Sequence, residues 1–237
     1  MNLLLFHKHE LSSDGCIKLD DHRAEHLIEV LKVVPGQTLK AGEVNGDIGA
    51  ARVQEIVSGT VFLRWQATSA PPAKLECILI LALPRPKMMS RILQSATAMG
   101  VKEIHLINSW KVDKSYWQSQ RLNLSLLEDE LLLGLSQSGD TQMPSVRLHR
   151  LFKPFAEDLL PELCKGREAL VAHPYQADKC PVAIKTPSAL AVGPEGGFTE
   201  SEISLLNKAG MRRVNIGPRI LRVETAVPAI LSRLYPA

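Results

Sequence analysis

Two glycine-rich loops hold the residues of this sequence best suited to chemistry. The first is Gly193-Pro194-Glu195-Gly196-Gly197 and the second Gly217-Pro218-Arg219-Ile220-Leu221-Arg222; each follows a short apolar run and leads into a helical pattern. Three glycines in five residues permit positive φ and let the backbone approach a bound molecule, whose edges main-chain N–H and C=O groups can then read. Glycine and proline also punctuate ordinary strand-to-helix connections, so one such loop alone says little. Two of them close in sequence, each at a predicted strand end, point to a ligand site. A third strand-end loop, Pro84-Arg85-Pro86-Lys87, is basic. Arg85 and Lys87 suit a phosphate or a carboxylate there; a solvated charged turn is the other reading. His22 and His26 stand four apart with no third ligand in view, and Cys16, Cys77, Cys164 and Cys180 have no C-x-x-C spacing, so no metal site and no disulfide framework are expected.

The elements that must hold these loops read as alternating strands and helices. Residues 75–83 are almost continuously apolar, the pattern of a parallel strand buried on both faces. A helix follows over residues 88–99, with Ile92, Ala96 and Met99 on its inner side, then Gly100 and a strand over 101–108. Residues 116–135 form one long leucine-rich helical pattern, whose stripe Leu124, Leu127, Leu131 and Leu135 suits the core or, second, a subunit interface. Arg147, His149, Arg150 and Lys153 read as a solvated basic run. A short helix is expected over 155–163, its end blurred by Pro161, with strands over 168–173 and 188–192. Past the first glycine loop, Thr199 is a good N-cap, Glu200 and Glu202 put negative charge in the first turn, and Ile203, Leu205, Leu206 and Ala209 fit one face, with Gly210 as the stop. A strand over 213–216 and a buried helix over 225–234 close the chain. This layout is a parallel α/β sheet with ligands at the carboxyl ends of its strands.

Residues 1–70 differ. A helix capped by Asp20 or Asp21 runs to about Leu31, with Ala24, Leu27, Ile28 and Leu31 on one side. Short alternating runs separated by Gly42, Gly46, Gly49 and Gly59 then suggest a small β-barrel. Residues 67–74 form a linker by composition, so two domains are expected, 1–70 and 71–237. At 45% hydrophobic residues the chain can bury a substantial core. No apolar run approaches the roughly 20 residues needed to span a bilayer, and the start lacks the marks of a secretory signal; the scattered cysteines make a reducing, cytoplasmic setting the expectation. Residues 1–72 carry seven basic and nine acidic side chains and the remainder 21 and 16, which assigns any nucleic-acid partner to the C-terminal part.

The strings GPEGGFTESE and IGPRILRVETA resemble the two C-terminal signatures of the RsmE-type RNA methyltransferases of the SPOUT superfamily, densely over about 35 residues. HRAEHLIEVLKVVPGQTL is similar to that family's N-terminal PUA-like domain. The sequence departs from the family pattern at Asn2-Leu3-Leu4-Leu5, which has no arginine, and at Ser95, Met99, Ser136 and Asp140. The resemblance implies an α/β fold: a PUA-like β-barrel domain followed by a parallel-sheet SPOUT domain whose C-terminus forms a trefoil knot. It implies S-adenosyl-L-methionine as cofactor, a homodimer, and methylation of uridine N3 in small-subunit ribosomal RNA. Carried onto this sequence, the cofactor residues are Leu170, His173, Gly193, Glu195, Gly196, Gly197, Ile216, Gly217, Ile220, Leu221, Arg222, Thr225 and Ala226. Arg222 or Arg219 would stabilise negative charge developing on the base, Glu224 or Glu195 would orient the base or the arginine, and Arg85 and Lys87 would contact RNA. Two other readings stand beside it: a relative that binds RNA or the cofactor without catalysis, and a methyltransferase acting on a different RNA.

Overall fold

Side chains that alternate in polarity build the N-terminal sheet, and continuous apolar runs build the C-terminal one. In the computed structural model, which describes residues 2–236, the chain divides into two units. One comprises Met1–Ala73 and Leu135–Met143, the other Lys74–Gly134 and Pro144–Ala237.

The first unit contains strands β1 (Leu4–Phe6), β2 (Cys16–Leu19), β3 (Thr38–Glu43), β4 (Ile48–Val57) and β5 (Thr60–Ser69), in the spatial order β1-β3-β4-β5-β2. Only β1 and β3 run parallel. Register shifts at Ile48/Gly49 and Val53/Glu55 bend the long β4–β5 pair around a core of Phe6, Ile17, Leu19, Leu27, Val53 and Leu63. Gly49 is required at the first shift, because a Cβ there would lie 2.0 Å from the Gln66 carbonyl oxygen. Asp21 caps helix α1 (His22–Glu25) by accepting from the Arg23 N–H at 2.9 Å. The chain then widens into a π turn over His26–Val30, where the Leu31 N–H bonds to the His26 carbonyl five residues back. The extra residue per turn rotates Leu31 off the inner face, so it is 41% exposed rather than buried as its spacing suggested. The segment Leu135–Met143 is stitched into this unit largely through backbone groups. The Ser136 carbonyl accepts from the Asn2 and Leu3 N–H groups, the Thr141 hydroxyl donates to the Gly46 carbonyl, and the Met143 N–H donates to the Asn45 side chain. Asp140, which the linear sequence placed on a loop, is buried here and accepts from the Gln142 N–H.

In the second unit the strands are β6 (Cys77–Ala82), β7 (Glu103–Ile107), β8 (Ser145–His149), β9 (Glu168–Ala172), β10 (Asp178–Lys179), β11 (Ser188–Val192) and β12 (Arg212–Asn215). They form one parallel sheet in the order β10-β12-β9-β11-β6-β7-β8. Every side chain of β6 and β11 is buried, as their apolar runs require. The helices are α2 (Pro86–Ala98), α3 (Leu124–Ser138, whose residues from Leu135 on belong to the first unit), α4 (Phe152–Pro154), α5 (Leu160–Cys164), α6 (Glu200–Lys208) and α7 (Val223–Leu234).

Several expectations are corrected. Residues 116–122 are not part of the long helix but lie in two 3-10 turns. Helix α3 starts after Asn123, whose side chain accepts from the Ser125 N–H. Leu127, Leu131 and Leu135 are buried, while Leu124, in the first turn, is 71% exposed. Met99 is the C-cap of α2 and only half-buried. A π turn, Phe155–Leu159, joins α4 to α5 just before Pro161, which has no N–H to extend a regular ladder. The basic run is not simply solvated. Arg147 pairs with Glu103 at 3.5 Å, His149 stacks on His105, and the Arg150 guanidinium sits 5.2 Å from the centre of the Trp117 ring. Strands β8 and β10 had no sequence expectation: β8 is a half-exposed polar segment and β10 is two residues long.

Candidate active site

Strands β12, β9 and β11 are neighbours in the sheet, and the loops at their carboxyl ends surround a cleft of about 410 Å³. Thr199 holds the first loop in place by starting α6 with a reciprocal capping box: its hydroxyl accepts from the Glu202 N–H while Glu202 accepts from the Thr199 N–H at 2.8 Å. Glu202 does more than the dipole argument asked of it. It is buried, and its other oxygen accepts from the Trp110 N–H at 2.7 Å, tying in the loop after β7. Lys111, the next residue, donates to the Gly196 carbonyl at 2.8 Å. Glu195 accepts from the Arg85 N–H at 3.1 Å, which ties in the loop after β6.

The floor and walls are apolar, from Val192, Val214, Ile216, Leu221 and Ile230, and the rim carries Tyr175, Arg219 and Arg222. Gly197 (φ +70°) and Gly217 (φ +151°) border the cleft, and a Cβ at either would meet nothing within 4 Å. Their backbones therefore face open space that a ligand can enter. An apolar slot edged by exposed main-chain groups suits a flat heterocycle with hydrogen-bonding edges, and its volume is within the usual range for small-molecule sites, roughly 300–1,000 Å³. The donor set thus fits S-adenosyl-L-methionine. Among the described residues, no group of three His, Cys, Asp or Glu side chains is placed to hold a metal ion.

Of the residues named from the sequence, His173, Gly193, Glu195, Gly196, Gly197, Ile216, Gly217, Arg219, Ile220, Leu221, Arg222 and Ala226 come together around this cleft. Leu170 does not. It is fully buried mid-strand, paired with Leu190 on one side and Arg212 on the other, so the wall is made by Ala172 to Tyr175 at the strand's end. Glu224 and Thr225 also lie outside the lining. Helix α7 turns Val223, Ala226 and Ile230 toward the cleft, a spacing of three and four that points the two intervening residues away. Arg85 and Lys87 are exposed outside the cleft, Arg85 at its edge through Glu195. Sequence reasoning missed Tyr175, Asn215 and the Trp110–Lys111 loop. His173 fixes Tyr175 by bonding through Nδ1 to its backbone, and the loop's attachment through Glu202 and Gly196 has no signature in the linear sequence.

Comparison with known proteins agrees with this geometry. The model of the RNA methyltransferase domain matches residues 71–235. A ribosomal RNA small subunit methyltransferase E from Treponema pallidum is 31% identical, over 97% of this chain and 88% of its own length. A Legionella pneumophila protein solved in complex with the cofactor SAM superposes with a TM-score of 0.78 at 22% identity, covering 98% of this chain and 95% of that one. A ribosomal RNA small subunit methyltransferase E from Neisseria gonorrhoeae, bound to S-adenosyl methionine, gives 0.77 at 24% identity, covering 97% and 95%. These two likenesses show the fold: a small mixed-sheet domain followed by a parallel-sheet SPOUT domain with a knotted C-terminus. By the domain match and the Treponema relative together, the chain belongs to the RNA methyltransferase family of the small-subunit methyltransferase E type.

Proposed function

We propose that this protein is an S-adenosyl-L-methionine-dependent methyltransferase acting on N3 of a uridine in small-subunit ribosomal RNA. One observation carries the reading: a glycine-bordered apolar cleft at the carboxyl ends of β9, β11 and β12 with two exposed arginines, Arg219 and Arg222, on its rim. When bound, the cofactor supplies a sulfonium methyl group. The backbones of Gly193, Gly196, Gly197 and Gly217 read its polar edges, and Ile216, Leu221 and Ile230 cover its apolar face. Uracil N3 carries a proton at neutral pH, which must pass to solvent as the methyl group arrives, so the site must favour the anion. Arg222 and Arg219 do so by placing fixed positive charge near O2 and O4, where negative charge develops. Glu224, in the first turn of α7, serves the helix start rather than the reacting base. Alignment is the main requirement of an in-line displacement, and the capping box at Thr199 with the Glu195–Arg85 tie keeps the loops in register for it.

Arg85 and Lys87 contact the RNA backbone. The protein acts in the cytoplasm as a homodimer. Among the described residues no helix is long and apolar enough to cross a membrane. Incubating the protein with labelled cofactor and small ribosomal subunits lacking the modification, then mapping the labelled nucleoside, tests the reading. Label in 3-methyluridine, and a kcat at least tenfold lower for Arg222→Ala, are expected. Label in another nucleoside would move the assignment to a different acceptor, and no label in any RNA would end the enzymatic reading.

A further inference from the structure

Trp110 is 84% exposed, although its backbone is among the most firmly held at the carboxyl edge of the sheet. Its N–H donates to the buried Glu202 carboxylate at 2.7 Å, and the next side chain, Lys111, reaches the Gly196 carbonyl at 2.8 Å. Two residues earlier, the Asn108 N–H donates to the His149 carbonyl at 2.9 Å, and its side chain donates to the Arg150 carbonyl and accepts from the Trp117 indole N–H. Asn108, the Trp110 N–H and Lys111 are thus anchored, while the large side chain of Trp110 stands out in solvent.

Leaving an indole in water forgoes the stabilisation its burial would bring. Holding it out on a braced loop means that a partner meets an aromatic face already ordered, which lowers the entropy lost on binding. The loop belongs to the same rim as the cleft, because Gly196 and Glu195 connect Lys111 to Arg85. That chain of contacts carries two cations, Lys111 and Arg85, against one carboxylate, Glu195, which lies 3.8 Å from the Arg85 Nε; the carboxylate bonded to the Trp110 backbone, Glu202, is buried and engaged by three N–H and O–H donors. A flat π face flanked by positive charge is the arrangement that takes an unpaired base with its phosphate.

We infer that Trp110 is a stacking platform for an unpaired base of the RNA substrate next to the methyl acceptor, with Lys111 and Arg85 placed for the adjoining phosphates. This rests on the reading of the protein as an RNA methyltransferase and adds a binding residue to it. Trp110 is one of three tryptophans, and the other two, Trp65 and Trp117, are half-buried and buried. The test uses the whole protein as wild type, Trp110→Ala and Trp110→Phe, with deproteinised small-subunit ribosomal RNA as the probe. Added RNA should quench a component of tryptophan emission in the wild type that is missing in Trp110→Phe. Trp110→Ala should raise KM for RNA about tenfold or more, with kcat within twofold and S-adenosylhomocysteine affinity unchanged, and Trp110→Phe should recover most of the loss. Unchanged emission, or an unchanged KM in Trp110→Ala, overturns the inference while methyl transfer by the wild type leaves the function standing. A change in sedimenting mass for Trp110→Ala with no change in RNA binding would assign the indole to a protein interface instead. If the wild type transfers no methyl group to RNA, the function fails first, and the quench still decides whether Trp110 meets RNA.

Discussion

Glu195 Oε1 accepts from the Arg85 N–H at 3.1 Å and lies 3.8 Å from the Arg85 Nε, so one carboxylate joins the first glycine loop to the basic loop after β6. A residue of the cleft wall therefore also fixes a residue proposed to meet RNA. Removing the carboxylate in Glu195→Ala frees both loops. A half-exposed charged contact of this kind is worth about 1 kcal/mol after solvent screening, or about fivefold in affinity. Calorimetric titration with S-adenosylhomocysteine should show that loss in Glu195→Ala and little of it in Glu195→Gln, which keeps the acceptor. Equal affinity for all three proteins would remove Glu195 from the organisation of the cleft.

Gly197 tests the backbone cradle. Its φ of +70° is unfavourable for residues with a side chain, yet a Cβ there would touch nothing. Gly197→Ala should thus cost about 1 kcal/mol from conformation alone, lowering Tm by roughly 2–4 °C in a chain of this size. The new methyl group projects into space beside the cleft, so S-adenosylhomocysteine affinity should fall by more than stability does. A variant with lower Tm and unchanged affinity would mean that the ligand does not approach Gly197.

Glu202 combines a helix cap with a loop anchor. Glu202→Ala removes the acceptor for Thr199 and for the Trp110 N–H together, leaving donors without partners in a buried place. A loss of about 2 kcal/mol in urea unfolding is expected. Glu202→Gln, which retains one acceptor oxygen, should lose about half as much. Identical losses for the two variants would show that the acceptor oxygen kept by Gln contributes nothing.

The parts of this molecule legible in the sequence are those whose pattern is local. The buried strands β6 and β11 announce themselves by unbroken apolar runs, Thr199 by its place three residues before Glu202, and the glycine loops by composition. What stayed hidden depends on contacts made at a distance. Leu131 and Leu124 look alike as members of one stripe, but only the first meets the core, while Leu124 falls in the first turn of the helix that Asn123 starts and is left exposed. Leu31 leaves its expected face because of one wide turn. Segment Leu135–Met143 joins the first unit through the backbone carbonyl of Ser136 and through the hydroxyls of Ser136 and Thr141, which donate to the Leu3 and Gly46 carbonyls, partners remote in the linear sequence. The family resemblance puts Leu170 in the cleft, whereas both neighbouring strands bury it, and the end of that strand, Ala172 to Tyr175, lines the cleft instead.

The paired histidines of β7 and β8 give the fold a pH dependence of definite sign. His105 is fully buried, with Nδ1 2.9 Å from His149 Nε2 and Nε2 3.0 Å from a Glu103 carboxylate oxygen. The carboxylate can only accept, so His105 donates from Nε2; its Nδ1 is then the acceptor, and His149 donates to it from Nε2. Protonating His105 would set two N–H groups against each other. Burial accordingly holds the His105 imidazole below its ordinary range, with Glu103 opposing and Arg147 adding to the shift. Burial, then His105 and Arg147, hold His149 below it as well. Both rings are therefore favoured neutral in the folded protein, whereas in the unfolded chain they take up protons near pH 6.5. Below that pH the unfolded state binds more protons than the folded one, so this contribution to stability is complete above about pH 7 and declines as the pH falls. Thermal unfolding between pH 5.5 and 7.5 should show Tm dropping toward the acid end, with a shallower slope for His149→Gln. The carboxylates with lowered pKa, Glu10 and Asp21 beside Arg23, act at lower pH and do not produce a slope in that window. An identical slope in the variant would mean that His149 takes up its proton equally in the folded and unfolded states and has no part in the response.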